Sequence, residues 1–154
     1  MSKKILVPTD FTSVGDTAIQ HAVSVSQAIA AEIFVLHVIA EKKFISEARL
    51  KIDTLAQRVK AEYGIKVETM IRIGSIFEDI DAVATEIDAT LIIMGTHGLR
   101  GMQFLTGGRA LRIVTDSTIP FIIVQEKGIS SNGYDDIVVP LDLHKETKQK
   151  LNLV

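Results

Sequence analysis

Short apolar runs alternate with longer stretches of helical period along most of this chain. Ile5–Val7 is a short apolar run closed by Pro8 and Asp10, which predicts a buried strand. Val14, Ala18, Ala22, Val25 and Ile29 then recur at helical spacing, with Thr12 or Ser13 placed to cap the helix. Asp16 falls in its first turn, where a carboxylate complements the helix dipole. Ile33–Ile39 is a second apolar strand, interrupted only by His37. The stripe Ile45, Ala48, Ile52, Leu55, Val59 predicts a helix over Ile45–Tyr63, with Gly64 to end it. Ile65–Ile73 alternates, with Ile65, Val67, Thr69, Ile71 and Ile73 on one face, as expected of a half-buried edge strand. Ile76, Ile80, Val83 and Ile87 predict a third helix. Leu91–Met94 is fully apolar and reads as a central strand. A glycine-rich stretch follows, then a fourth helix over Arg109–Thr115 and a fifth strand over Ile119–Val124.

This β-α-β-α-β-α-β-α-β order predicts an α/β fold: a three-layer, open, parallel five-stranded sheet with helices on both faces. Placing the most apolar strands at the centre gives the strand order 3-2-1-4-5.

Residues after Val124 break the pattern. The polar stretch 127–133 reads as a linker. Ile137-Val138-Val139-Pro140-Leu141-Asp142 then repeats Ile5-Leu6-Val7-Pro8-Thr9-Asp10, including the proline and the aspartate. The expected organisation is a domain over 1–126, a linker over 127–133, and the first strand and partial helix of a truncated second copy over 134–154. A lone strand cannot form a core of its own, so docking on a sheet edge, in cis or on a partner chain, is expected.

Composition narrows the function classes. The chain has 154 residues, 47% of them hydrophobic, which suffices for one packed domain. Its formal net charge of −2, dispersed basic residues and few aromatics point away from nucleic acid as the main partner. No apolar run approaches the ~20 residues that span a bilayer, so no membrane partner is expected. There is no cysteine, which removes disulfides, thiolate metal sites and a cysteine nucleophile, and suits a reducing cytoplasm. The four histidines show no metal-ligand spacing.

The richest chemical signal is Gly95–Gly108, which holds five glycines. Glycines after a buried strand let backbone amides approach a ligand closely. With the next helix N-terminus, such amides make an anion site. In open α/β sheets ligands sit at the C-terminal strand ends where the strand order switches. Asp10 after the first strand and the glycine loop after the fourth should therefore face one crevice. The Gly-x-x-x-x-Gly-Lys-Ser/Thr phosphate loop is absent, and a dinucleotide fingerprint would need more than Gly15 after the first strand. Asp10 reads either as a ligand group or as a cap for the first helix. His97 has no Ser, Cys or carboxylate partner in sequence and His37 lies within a strand, so neither reads as catalytic. Arg100, Arg109 and Arg112 read equally as phosphate donors or as a solvated face.

Over about residues 2–126 the chain resembles the universal stress proteins. The segments that carry the resemblance are Lys4-Ile5-Leu6-Val7-Pro8-Thr9-Asp10-Phe11, Leu36-His37-Val38-Ile39, Ile93-Met94-Gly95-Thr96-His97-Gly98, Leu105-Thr106-Gly107-Gly108 and Ile119-Pro120-Phe121-Ile122-Ile123-Val124. The resemblance implies a fold like the adenine-nucleotide α-hydrolases and, as in many members, ATP binding. It implies nucleotide contacts from Thr9 and Asp10 on the ribose or adenine side, Val38 at the adenine, and Met94 and Gly95 near the sugar and phosphates. Gly98, Gly107, Gly108, Arg109 and Ala110 would meet the phosphates. The family loop runs Gly-x-x-Gly, nine residues, then Gly-Ser/Thr. Here Arg109 follows Gly108, or, counted back from Pro120, Gly108 follows Gly107. In both alignments the hydroxyl is missing, and Thr106 or Arg109 is the candidate replacement. The resemblance thus implies a stress-response module that binds ATP or another adenine nucleotide, with or without Mg, and hydrolyses it slowly if at all. The alternative is a dimerising interaction domain that has lost nucleotide binding. A homodimer or a strand-exchanged pair through edge strands is expected either way.

Overall fold

The computed structural model describes residues 2–95, 114, 117–129, 133–134 and 136–138. Among these, β1 (Lys3–Pro8), α1 (Ser13–Ile29), β2 (Ala31–Ile39), α2 (Ile45–Tyr63), β3 (Val67–Ile73), α3 (Ile76–Glu86), β4 (Leu91–Gly95) and β5 (Phe121–Val124) follow one another. The sheet order is β3-β2-β1-β4-β5, and every pairing is parallel. The α/β sheet and its 3-2-1-4-5 order are those expected from the sequence. The fourth helix predicted over 109–115 and the glycine stretch lie outside the described residues, apart from the helical Val114.

The parallel strands are apolar on both faces because helices cover both. Odd positions of the central strands, Ile5, Val7, Ile33, Val35 and Ile93, pack with Ala18, Ala22, Ile52, Leu55 and Val59 under α1 and α2. Even positions, Leu6, Leu36, Ile92 and Met94, pack with Ile80, Val83 and Ala84 of α3. Each of the buried Val, Leu, Ile and Met side chains contributes roughly 1.5–3 kcal/mol by leaving water.

The sequence stripes overreach at the sheet margin. Ile45, at the first residue of α2, is 38% exposed, and Ile73, at the end of edge strand β3, is 49% exposed. Both lie where the neighbouring layer has run out. Two strands also start later than their apolar runs: β3 at Val67 rather than Ile65, and β5 at Phe121, after Pro120, which has no N–H for a ladder.

Chain connections aim the elements. Thr12 caps α1 by accepting from the Gly15 amide, and its carbonyl accepts from Asp16 N at 3.0 Å. Asp16 also pairs with Arg58 of α2. Gly64, at φ 71°, closes α2. The carboxylate of Asp79 reaches back to accept from Ser75 N at 2.8 Å, while Ser75 O accepts the first helical bond of α3 from Asp79 N at 2.9 Å. From β1 the chain leaves to β2 on one side, and β4 returns on the other. The strand order therefore switches between β1 and β4.

Candidate functional site

The loop leaving β1 at this switch is held by β2 and by its own hydrogen bonds. Thr9 is buried, and its amide donates to Leu36 O at 2.8 Å. Its hydroxyl accepts from Phe11 N at 3.1 Å. His37 Nδ1 donates to the Thr9 carbonyl at 2.8 Å, which fixes the proton on that nitrogen, since a carbonyl only accepts. The Phe11 ring lies 4.4 Å from the His37 ring. Phe11 takes φ 62°, a left-handed conformation costly for a bulky residue, and the tilted ring contact and these bonds hold it there. His37 is thus the strut of this loop, a role that its position inside a strand pattern did not reveal.

Asp10 occupies the exposed tip of the loop. Its Oδ1 accepts from the Thr12 amide at 3.1 Å and from the Thr12 hydroxyl at 2.5 Å. It therefore orients the residue that caps α1, rather than capping the helix itself. Among the described residues Oδ2 has no partner and remains an acceptor for a ligand hydroxyl or amine.

Thr9, Asp10, Met94 and Gly95 come together. With Pro8, Gly15 and Ile76 they line one narrow cleft above the C-terminal ends of β1 and β4. Ile76, from the start of α3, is a cleft residue that sequence reasoning assigned only to the core. Gly15 is needed there too: a Cβ at that position would lie 2.9 Å from the Thr9 hydroxyl.

Val38 stands apart from these four. It packs on the α3-side cluster and lines a separate cavity of about 310 Å³ with His37, Ile39, Ala40, Phe44, Glu47, Ala48 and Lys51. Glu47 and Lys51 pair across one turn of α2 at 2.6 Å, which holds the exposed Glu47 carboxyl below its usual range. On the other side of Asp10 a groove of about 560 Å³ runs past Phe11, Asp16, Leu50, Lys51, Thr54, Leu55 and Arg58. Asp10 lines both this groove and the cleft. The remaining expected contacts, Gly98, Gly107, Gly108, Arg109 and Ala110, lie outside the described residues, as do His97, Arg100 and Arg112. Among the described residues no three His, Asp or Glu side chains converge on a cation site, and no helix is long and apolar enough to cross a membrane.

Known proteins share this architecture. The chain is 27% identical over 158 residues to universal stress protein MJ0577 of Methanocaldococcus jannaschii, covering 82% of this chain and 97% of that one. The solved structure of MJ0577 matches with a TM-score of 0.68 at 30% identity, over 82% of this chain and 98% of the other. A universal stress protein solved with cAMP has the same fold, with a TM-score of 0.67 at 19% identity over 82% and 98% of the two chains. So has one from Archaeoglobus fulgidus solved with dAMP, with a TM-score of 0.63 at 16% identity over 80% and 97%. The universal stress protein family model matches residues 1–125. With most of its length matched in this way, the chain belongs to the universal stress protein family.

Proposed function

We propose that this domain is a stress-response module of the cytoplasm that binds an adenine nucleotide at the β1–β4 switch and acts through occupancy rather than fast turnover. The observation that carries this reading is the meeting of Thr9, Asp10, Met94 and Gly95 in one cleft, directly ahead of the glycine-rich stretch. One feature suits a nucleotide directly: a carboxylate oxygen on Asp10, unpartnered among the described residues, for a sugar hydroxyl at the switch point. The relatives solved with cAMP and dAMP support the ligand class. Val38 would serve the base, and Gly98, Gly107, Gly108, Arg109 and Ala110 the phosphates, with Mg as a counter-ion where a triphosphate binds. Arg109 would donate to the phosphate in place of the family's loop hydroxyl, which this chain lacks.

A second reading is a dimerising interaction domain without a nucleotide. The absent hydroxyl favours it, and so does the exposure of Ile123 on edge strand β5. A homodimer through such an edge fits both readings, and so does a second copy beginning at Tyr134.

Calorimetric titration of Mg-ATP and of AMP into nucleotide-stripped protein separates them. A dissociation constant near 10 µM, about −7 kcal/mol, weakened at least tenfold by Arg109→Ala, is the expected result. A folded sample that takes up no ATP at millimolar concentration overturns the nucleotide reading in favour of the interaction domain.

A further inference from the structure

Helix α1 turns Val14, Ala18 and Ala22 to the sheet, and Gln20 on its far side is exposed. His21, the next residue, is only 8% exposed. The chain that leaves β5 is what covers it. Tyr134 Oη lies 2.6 Å from His21 Nδ1, with the two rings 5.6 Å apart and tilted. The Lys127 backbone faces the same imidazole, although the buried Nε2 reaches no hydrogen bond of ordinary geometry among the described residues. The two glycines of the stretch run close to the same ridge. A Cβ on Gly128 would sit 3.0 Å from Gln20 Oε1, and one on Gly133 would sit 3.8 Å from Ser24 Oγ. Gln20, His21 and Ser24 share one helical face. Gly133 takes φ 81°, a left-handed turn that suits glycine and delivers Tyr134 to His21.

We propose that this ridge of α1 is a strap site, on which Tyr134 keyed to His21 pins the chain leaving β5, so that residues beyond 134 start from a fixed point on the domain. The partner it fits is the chain's own downstream segment. The pairing differs from a chance surface contact because a polar ring is buried to make it. Burying an imidazole without partners is costly, so His21 favours the strap and the strap shelters His21. Three residues further on, Ile137 and Val138 are 69% and 87% exposed. They are large apolar side chains carried on from a held point, where a neighbouring domain or a second chain could meet them at a defined position.

Limited proteolysis of the full chain tests this, with each cleavage site identified by mass. Trypsin reads the bond after Lys127 and chymotrypsin the bond after residue 134. Tyr134→Phe keeps the chymotrypsin site and the ring but removes the hydroxyl. Gly133→Ala strains the turn without touching His21. Both variants should be cut at these two bonds at least about fivefold faster than the wild type, with fragments of β1–β4 still resistant, because a buried ring nitrogen has lost its partner or its approach. Equal rates in wild type and variants overturn the proposal. So does wild-type cleavage as fast as in a free peptide, and so does digestion of the whole domain in Tyr134→Phe, since the strap is peripheral to the core. None of these readouts depends on nucleotide binding.

Discussion

A Cβ placed on Gly95 would lie 2.6 Å from the carbonyl oxygen of Val14. The end of β4 thus touches the first turn of α1, with no room for a side chain between the two backbones. Gly95→Ala must push them apart. The expected cost is about 1–3 kcal/mol, the usual range for overpacking. Urea unfolding should show a lower midpoint at an unchanged slope.

Thr12 sits where the β1 loop becomes α1 and bonds in both directions, to Gly15 N ahead and to Asp10 Oδ1 behind. Thr12→Ala should cost about 0.5–2 kcal/mol, as loss of a side-chain cap does. The same change frees Asp10, so backbone amide shifts at Asp10 and Phe11 should move with those of the first turn of α1. A variant that lost stability with the β1 loop unmoved would separate the two functions of this threonine.

Acid should loosen the strap. Burial pushes the His21 imidazole below the ordinary histidine range, against a smaller opposing pull from the Lys127 backbone. Tyr134 is the titratable side chain in contact with it, and burial raises that phenol, so it stays neutral across the acid range. With the docked pKa of His21 below its free value of 6.5, its contribution is whole above about pH 6.5. That contribution is lost as pH falls from there through the lowered pKa. Cleavage after Lys127 should therefore accelerate between pH 7.5 and 5.5 in the wild type. It should be nearly flat with pH in a His21→Phe chain, once each rate is divided by the enzyme's own rate on a free peptide.

The layers of this fold were legible in the sequence because burial on both faces of a parallel sheet leaves unbroken apolar runs, as at Leu91–Met94, and helical stripes such as Ala48, Ile52, Leu55, Val59. Margins were less legible. Ile45 and Ile73 continue their patterns in sequence after the packing partner has ended, and no local signal marks that point. At the site, the topological switch alone brings Asp10 to the start of the glycine-rich stretch at Gly95, whereas Thr9 and Met94 were expected there from the family resemblance. The separate cavity beside Val38 could not be foreseen, because it depends on where the first turn of α2 passes β2. His21 and His37 were not legible either. A lone histidine in a helix or strand gives no sign of the residue it will meet, and each partner here, Tyr134 or Thr9, is distant in sequence and supplied by tertiary contact.

The two chemical roles of Asp10 can be separated by isosteric substitution. Its Oδ1 organises the helix cap, and its Oδ2 has no partner among the described residues. Asp10→Asn keeps an oxygen at the Oδ1 position while replacing the charged second oxygen by an amide NH2, so its stability should stay within about 0.5 kcal/mol of the wild type. Asp10→Ala removes both, and should fall by about 1 kcal/mol as the Thr12 amide and hydroxyl lose their acceptor. If the carboxylate grips a nucleotide sugar, both variants should bind AMP at least tenfold more weakly in a calorimetric titration, a loss of about 1.4 kcal/mol. Unchanged affinity in Asp10→Asn, with Asp10→Ala weakened only in step with its stability, would reduce Asp10 to a helix-organising residue. The ligand would then have to be held from the glycine-rich side of the cleft.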